Sequence, residues 1–243
     1  MSRVMMLGLA LAATLLAGSA RAQTDPDALY RERVDLARAR EAAAIWQARV
    51  TANARDFESS WKLARATYWL GEHDEQGARR TWLERGVDVA RAAAALEPKR
   101  PEGYFWMAAN MGALAESFGL RQGLRFRGPI KEALETVLRL DPAYLQGSAD
   151  RALGRWYHRV PGLFGGDKKK AEAHLRKSLT YNPDSTVSHF FLAETLLELD
   201  RVSEAIHELQ KVIDAPLDPE FTPDDREYKK KAGDLLAQRR PKR

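Results

Sequence analysis

Residues 171–212, AEAHLRKSLTYNPDSTVSHFFLAETLLELDRVSEAIHELQKV, decide how this chain folds. Set against themselves at an offset of 34 residues, they place Ala171 on Ala205, Leu175 on Leu209 and Ser178 on Val212. Between these stand Leu192, Ala193 and Leu196. Small residues fall where two helices would cross. Larger apolar ones recur at i, i+3, i+4 and i+7, the spacing that lines one face of a helix. Asn182-Pro183 breaks the pattern, because the residue before a proline is pushed out of the helical region. A helical hairpin this short cannot bury its own apolar face, so it must stack on further hairpins.

The same closing signal occurs twice upstream, at Glu97-Pro98 and Asp141-Pro142, each after an apolar helix end. This is the pattern of a tetratricopeptide (TPR) repeat, whose standard period is about 34 residues. The proline-to-proline spacings here are 44 and 41, so two units carry extra residues. A helical pattern through Tyr104, Met107, Ala108 and Met111, ending near Phe118, and another from Pro129 onward isolate the first insertion as residues 119–128. Patterns through Leu145, Ala149, Ala152 and Trp156, and again from Asp167, isolate the second as 157–166. Both lie between the two helices of a hairpin, and equivalent loops of a solenoid project from the same edge. Upstream, helices are expected over 28–53, over 57–70 with Gly71 as a C-terminal cap, and over 74–96. Downstream, Thr222-Pro223-Asp224-Asp225 opens a charged helix to Gln238 that suits a terminal cap with a soluble outer face. The fold class is therefore all-α: a TPR-like helical-hairpin solenoid with two inter-helix insertions and a C-terminal capping helix.

The first 22 residues differ in kind. Arg3 precedes an apolar run over 4–16, and Ala20-Arg21-Ala22 offers small residues at −3 and −1 for cleavage before Gln23. The expected organisation is a signal peptide at 1–22 and one solenoid domain at 23–243. The product is a soluble periplasmic protein with no integral membrane segment in the mature chain. No cysteine follows Leu15-Leu16-Ala17-Gly18, which leaves no lipobox, and none occurs anywhere, so disulfides and thiol chemistry are excluded. Loss of two arginines with the presequence takes the net charge from +5 to +3. Acids and bases alternate over most of the surface, which argues against a nucleic-acid partner. The basic residues 239–243 read as a solvated tail.

No catalytic constellation emerges. His207-Glu208 starts like HExxH, but Lys211 stands where the second histidine belongs. His189 occupies an aromatic core position and reads as a packed histidine. Residues 162–168 fail the spacing of a phosphate loop. The expectation is a non-enzymatic protein with no cofactor and no metal site. The insertions are the functional candidates. They carry Arg121, Arg125, Arg127 and Arg159 beside Leu120, Leu124, Phe126, Tyr157, Pro161, Leu163, Phe164, Gly165 and Gly166. Large apolar residues in glycine-bearing loops need a partner, which is the protein's own core, another subunit or a ligand. Trp106, Asn110 and Trp156, on adjoining helices, are candidates to line the concave face, although core packing suits the tryptophans better.

Three segments carry a resemblance: Gly-Pro-Ile-Lys-Glu-Ala-Leu at 128–134, Gly-Arg-Trp-Tyr at 154–157, and Val-Pro-Gly-Leu-Phe-Gly-Gly-Asp at 160–167. They are similar to the TRAP transporter T-component (TatT) family, over roughly residues 57–213. The resemblance implies a periplasmic role beside a tripartite ATP-independent periplasmic transporter and its solute-binding protein. It also implies homotrimers with a central pore and a small, hydrophobic ligand. Some family members are lipoproteins, from which this chain departs. The residues alone leave two readings open. One is a transporter accessory that docks a solute-binding receptor and passes a small apolar or carboxylated ligand. The other is a general periplasmic TPR scaffold that binds peptides or envelope-assembly proteins in its concave groove.

Overall fold

The computed structural model describes residues 25–239; the export signal read at 1–22 and the last four residues of the basic tail lie outside them. Among the described residues there are α-helices, one 3₁₀ turn and no strand. The helices are α1 (Pro26–Arg31), α2 (Leu36–Ala52), α3 (Phe57–His73), α4 (Arg79–Leu96), α5 (Pro101–Ser117), α6 (Leu120–Leu140), α7 (Tyr144–Arg159), α8 (Lys168–Ser178), α9 (Thr186–Glu198), α10 (Val202–Asp214) and α11 (Thr222–Gln238). The 3₁₀ turn, Gly162–Phe164, lies between α7 and α8. Helices α3 to α10 form four hairpins, α3–α4, α5–α6, α7–α8 and α9–α10, each packed on the next.

The repeat register is visible in burial. Ala171, Leu175, Ser178, Leu192, Ala193, Leu196, Ala205, Leu209 and Val212 are all 0% exposed. Three apolar clusters run along the stack. One gathers Trp46, Leu63 and Leu70; the middle one gathers Leu83, Met111, Leu134 and Leu153; the last gathers Leu175, Leu192 and Leu209. Side-chain caps set several helix starts. Asp56 accepts from Ser59 N at 3.0 Å, and Asp35 from Ala37 N at 2.9 Å. Asp167 accepts from Lys169 N at 2.9 Å and Lys170 N at 3.1 Å. That carboxylate answers orphan amides of α8 and offsets the three lysines that open it.

Three expectations are corrected. The helix expected over 28–53 is broken between α1 and α2, where Arg33 turns inward and Asp35 caps anew. Gly71 does not end α3 but lies inside it, because an added Cβ would stand 2.4 Å from Leu83 Cδ2 where α4 packs. The first insertion is not a loop: residues 120–128 are the opening turns of α6, with Pro129 inside the helix. Proline there removes one N–H and crowds the carbonyl four residues back, which strains a helix without forbidding it.

Helix α11 caps the end of the stack by packing on α9 and α10, and it also reaches the opposite end. Asp224 pairs with the buried Arg33 at 2.7 Å, and Glu227 meets His73 Nε2 at 3.2 Å. Tyr228 stands edge-on to Phe190 and Phe191 at 5.3 and 5.6 Å. The solenoid closes around its own last helix.

Candidate functional site

The two insertions meet. Gly119, at φ +79, turns the chain out of α5, and the opening of α6 then runs past the 161–166 loop. Arg127 Nη1 donates to Phe164 O at 3.1 Å. Trp156 Nε1 donates to Arg127 O at 3.0 Å. The loop is held from within: Gly166 N donates to Pro161 O at 3.2 Å and Asp167 N to Tyr157 O at 3.0 Å. Gly165 adopts φ +100. A Cβ on Gly166 would lie 1.6 Å from Val160 O, so this position admits only glycine. Pro161, Gly165 and Gly166 thus shape the loop that presents its neighbours.

The candidate residues sort by exposure. Leu163 is 89% exposed, Leu120 65% and Leu124 40%. Arg121, Arg125 and Arg159 are exposed beside them. Arg159 approaches Glu116 at 3.8 Å. Arg125 lies 5.1 Å from the centre of the Phe126 ring, and among the described residues neither it nor Arg121 has a carboxylate partner. Arg127 and Phe164 are half-buried against one another. Phe126, Trp156 and Tyr157 belong to the middle core. The two rings of Trp156 and Tyr157 meet edge-on at 4.9 Å. The edge therefore has a packed floor of aromatic rings and an outer rim of leucine and arginine.

The concave candidates fare differently. Asn110 is 0% exposed. Its Nδ2 donates to Ala64 O at 3.0 Å and to Trp106 O at 2.8 Å. A Cβ at Gly86 would strike Asn110 Oδ1 at 2.1 Å. Asn110 is a clamp where α3, α4 and α5 cross and does not line an open face. Trp106 is half-buried, edge-on to Phe105 at 5.0 Å. The concave side holds groups that periodicity did not single out. Arg155 bridges Glu116 at 3.1 Å and Glu194 at 2.6 Å. Burial pushes the Tyr68 hydroxyl well above its usual pKa, and raises Tyr228 likewise. Arg151 lies one turn before Arg155 on α7. That four-residue spacing was the available signal; the groups facing it come from distant helices.

His158 and His189 are buried and bonded within the packing. His189 bonds to Glu208 and, through Nε2, to Pro183 O at 2.8 Å. Burial would raise the Glu208 carboxyl, but the bonds from His189 and Lys211 outweigh it and hold it at about 2. His158 is lowered to about 4 by burial and by Lys168 nearby. Among the described residues no group of three or more metal-binding side chains is arranged around one point, and no helix is long and apolar enough to cross a membrane.

Comparison with known proteins adds the following. The profile of the family described as "TRAP transporter T-component" matches residues 41–240. No curated protein matches. Among solved structures, TTC0263, a thermophilic TPR protein of Thermus thermophilus, superposes with a TM-score of 0.65 at 21% identity. That match covers 87% of this chain and 97% of the other. A MamA RS-1 double mutant gives 0.51 at 19% identity, covering 80% and 96%. A second structure of MamA gives 0.50 at 14%, covering 82% and 95%. At these identities the structures speak for the TPR fold alone.

Proposed function

The chain belongs to the TRAP transporter T-component family, and from that premise we propose that it is a non-enzymatic periplasmic accessory of a TRAP-type uptake system that docks the solute-binding receptor through its insertion edge. One observation carries this reading. Leu120, Leu124 and Leu163 are exposed next to Arg121 and Arg125, which lack acidic partners among the described residues. An apolar centre with a cationic rim fits a partner surface that offers an apolar patch ringed by acids. The arginine forks suit carboxylates in particular.

In this reading export through the 1–22 signal delivers the protein to the periplasm. There it assembles as a homotrimer and passes a small apolar or carboxylated ligand between receptor and permease. The peptide-scaffold alternative needs an open concave groove, and α11 would have to leave that groove first.

The test is surface plasmon resonance against a TRAP-type solute-binding protein from the same organism. Leu163→Ser with Phe164→Ser should weaken binding by about tenfold or more, the scale of a lost apolar anchor. Arg121→Glu with Arg125→Glu should mainly slow association and flatten its salt dependence. Unchanged binding by both folded variants would remove the edge from the account.

A further inference from the structure

A cavity of about 260 Å³ lies away from the insertion edge, between the start of α7, the N-terminus of α9 and the linker to α11. Arg151 lines it together with Gln146, Ser185, Asp184, Leu217 and Phe221. Its side chain makes no hydrogen bond and no ion pair among the described residues, and burial lowers its pKa from the usual arginine value. An arginine stays protonated even so. The groups facing its guanidinium are Tyr228, Asp224 and Tyr68. The one carboxylate among them, Asp224, is already bound to Arg33. Arg151 therefore lacks a direct counterion of its own, a costly arrangement in a partly desolvated site.

Three aspartates line the same cavity, yet none pairs with Arg151. Two are committed elsewhere. Asp225 accepts from Thr186 Oγ1 at 2.6 Å and from Asp218 N at 2.7 Å. Asp218 accepts from Gln146 Nε2 at 3.1 Å and from Glu220 N at 2.8 Å. Asp184 is different. It is exposed at the cavity mouth, and its carboxylate accepts no hydrogen bond among the described residues. The first backbone N–H groups of α9 add donors, since Ser185 answers only Ser188 N and a helix start leaves the others unpaired. Gln146, on the cavity wall, holds a left-handed backbone with φ 58. A non-glycine residue adopts that conformation at a cost, and such residues gather at ligand sites.

We propose that this cavity binds a small zwitterionic solute, with its carboxylate on Arg151 and the α9 N-terminus and its cationic end toward Asp184. A plain anion would meet three aspartates, and a plain cation would meet Arg151. Only a molecule carrying both charges satisfies both ends. Leu217 and Phe221 provide an apolar wall for the methylenes between them. The volume suits a metabolite of amino-acid size.

The test is isothermal titration calorimetry on the full chain at neutral pH. The probes are γ-aminobutyrate and ε-aminocaproate, each with its matched acid (butyrate, caproate) and amine (propylamine, pentylamine). At least one zwitterion should bind about tenfold or more tightly than both of its matched partners, the factor expected when a charged hydrogen bond is removed. Arg151→Gln should reduce that zwitterion to the level of its amine. Asp184→Asn, at an exposed site that leaves packing intact, should reduce it to the level of its acid. The proposal is overturned if neither zwitterion binds, if an acid or amine alone binds as tightly, or if both variants titrate like the parent chain. Receptor docking reads the insertion edge and this titration reads the cavity, so the two assignments fail separately.

Discussion

The stack at 171–212 and the edge formed by 119–128 and 157–166 are built from similar residues and end differently. In the stack every repeat-register residue is fully buried against the neighbouring helix. At the edge Leu120, Leu124 and Leu163 keep their side chains in solvent while Phe126, Trp156 and Tyr157 beneath them are buried. The stack finds its partners in its own chain. The edge packs only its inner layer, and its outer layer stays in solvent.

Mutations break that contrast most sharply. Leu209→Ala should destabilise the protein by about 2–5 kcal/mol, the cost of a core cavity. Leu163→Ser should change stability by less than about 0.5 kcal/mol, as at ordinary surface sites. Chemical denaturation of the two variants side by side checks this. Equal losses would mean that Leu163 is core in solution.

Gly166→Ala comes next. The added methyl meets Val160 O, so a loss of about 1–3 kcal/mol is expected, in the range of special backbone positions. Receptor binding should fall with it, because the loop that presents Leu163 must shift. Retained stability and retained binding together would show that the loop is not held as described.

The smallest effect sharpens the role of α11. Burial alone would depress His73, but its bonds to Glu227 and to Trp69 O outweigh this and raise its pKa above the usual 6.5. The bond from His73 is foremost in holding Glu227 at about 2, below the usual 4.5. The raised histidine stabilises below about 6.5 and loses its contribution as pH rises through its folded value. The depressed glutamate stabilises above about 4.5 and loses its contribution as pH falls toward 2. Both act together between those limits. Hydrogen exchange should show α11 opening more readily at pH 8 than at pH 6. The change should be below about 1 kcal/mol, since both side chains are partly solvated. An increase in protection with pH would contradict the pairing.

How far the sequence was legible follows from the same contrast. The 34-residue offset between Leu175 and Leu209 predicts burial on both, and the Pro98, Pro142 and Pro183 signals fall just after α4, α6 and α8. These features are local, so periodicity captures them. Pro129 misled because proline usually marks a helix start, whereas here Phe126 and Ile130, one turn apart and both buried, carry the helix through it. Asn110 looked like a groove residue because its partner, the space left by Gly86, lies a helix away. The position of α11 rests on Arg33 and Asp224, which are 191 residues apart, and no pattern within a helix reports such a pair. The proline spacings marked 119–128 and 157–166 as extra residues, but they could not tell the exposed leucines there from the buried aromatics.

The central claim is that the edge is a docking surface, and hydrogen–deuterium exchange with and without the solute-binding receptor tests it most directly. The account predicts new protection at 119–128 and 160–166 on adding receptor, with 171–212 unchanged. Protection confined to α11 and the concave helices, with the edge unaffected, would contradict it.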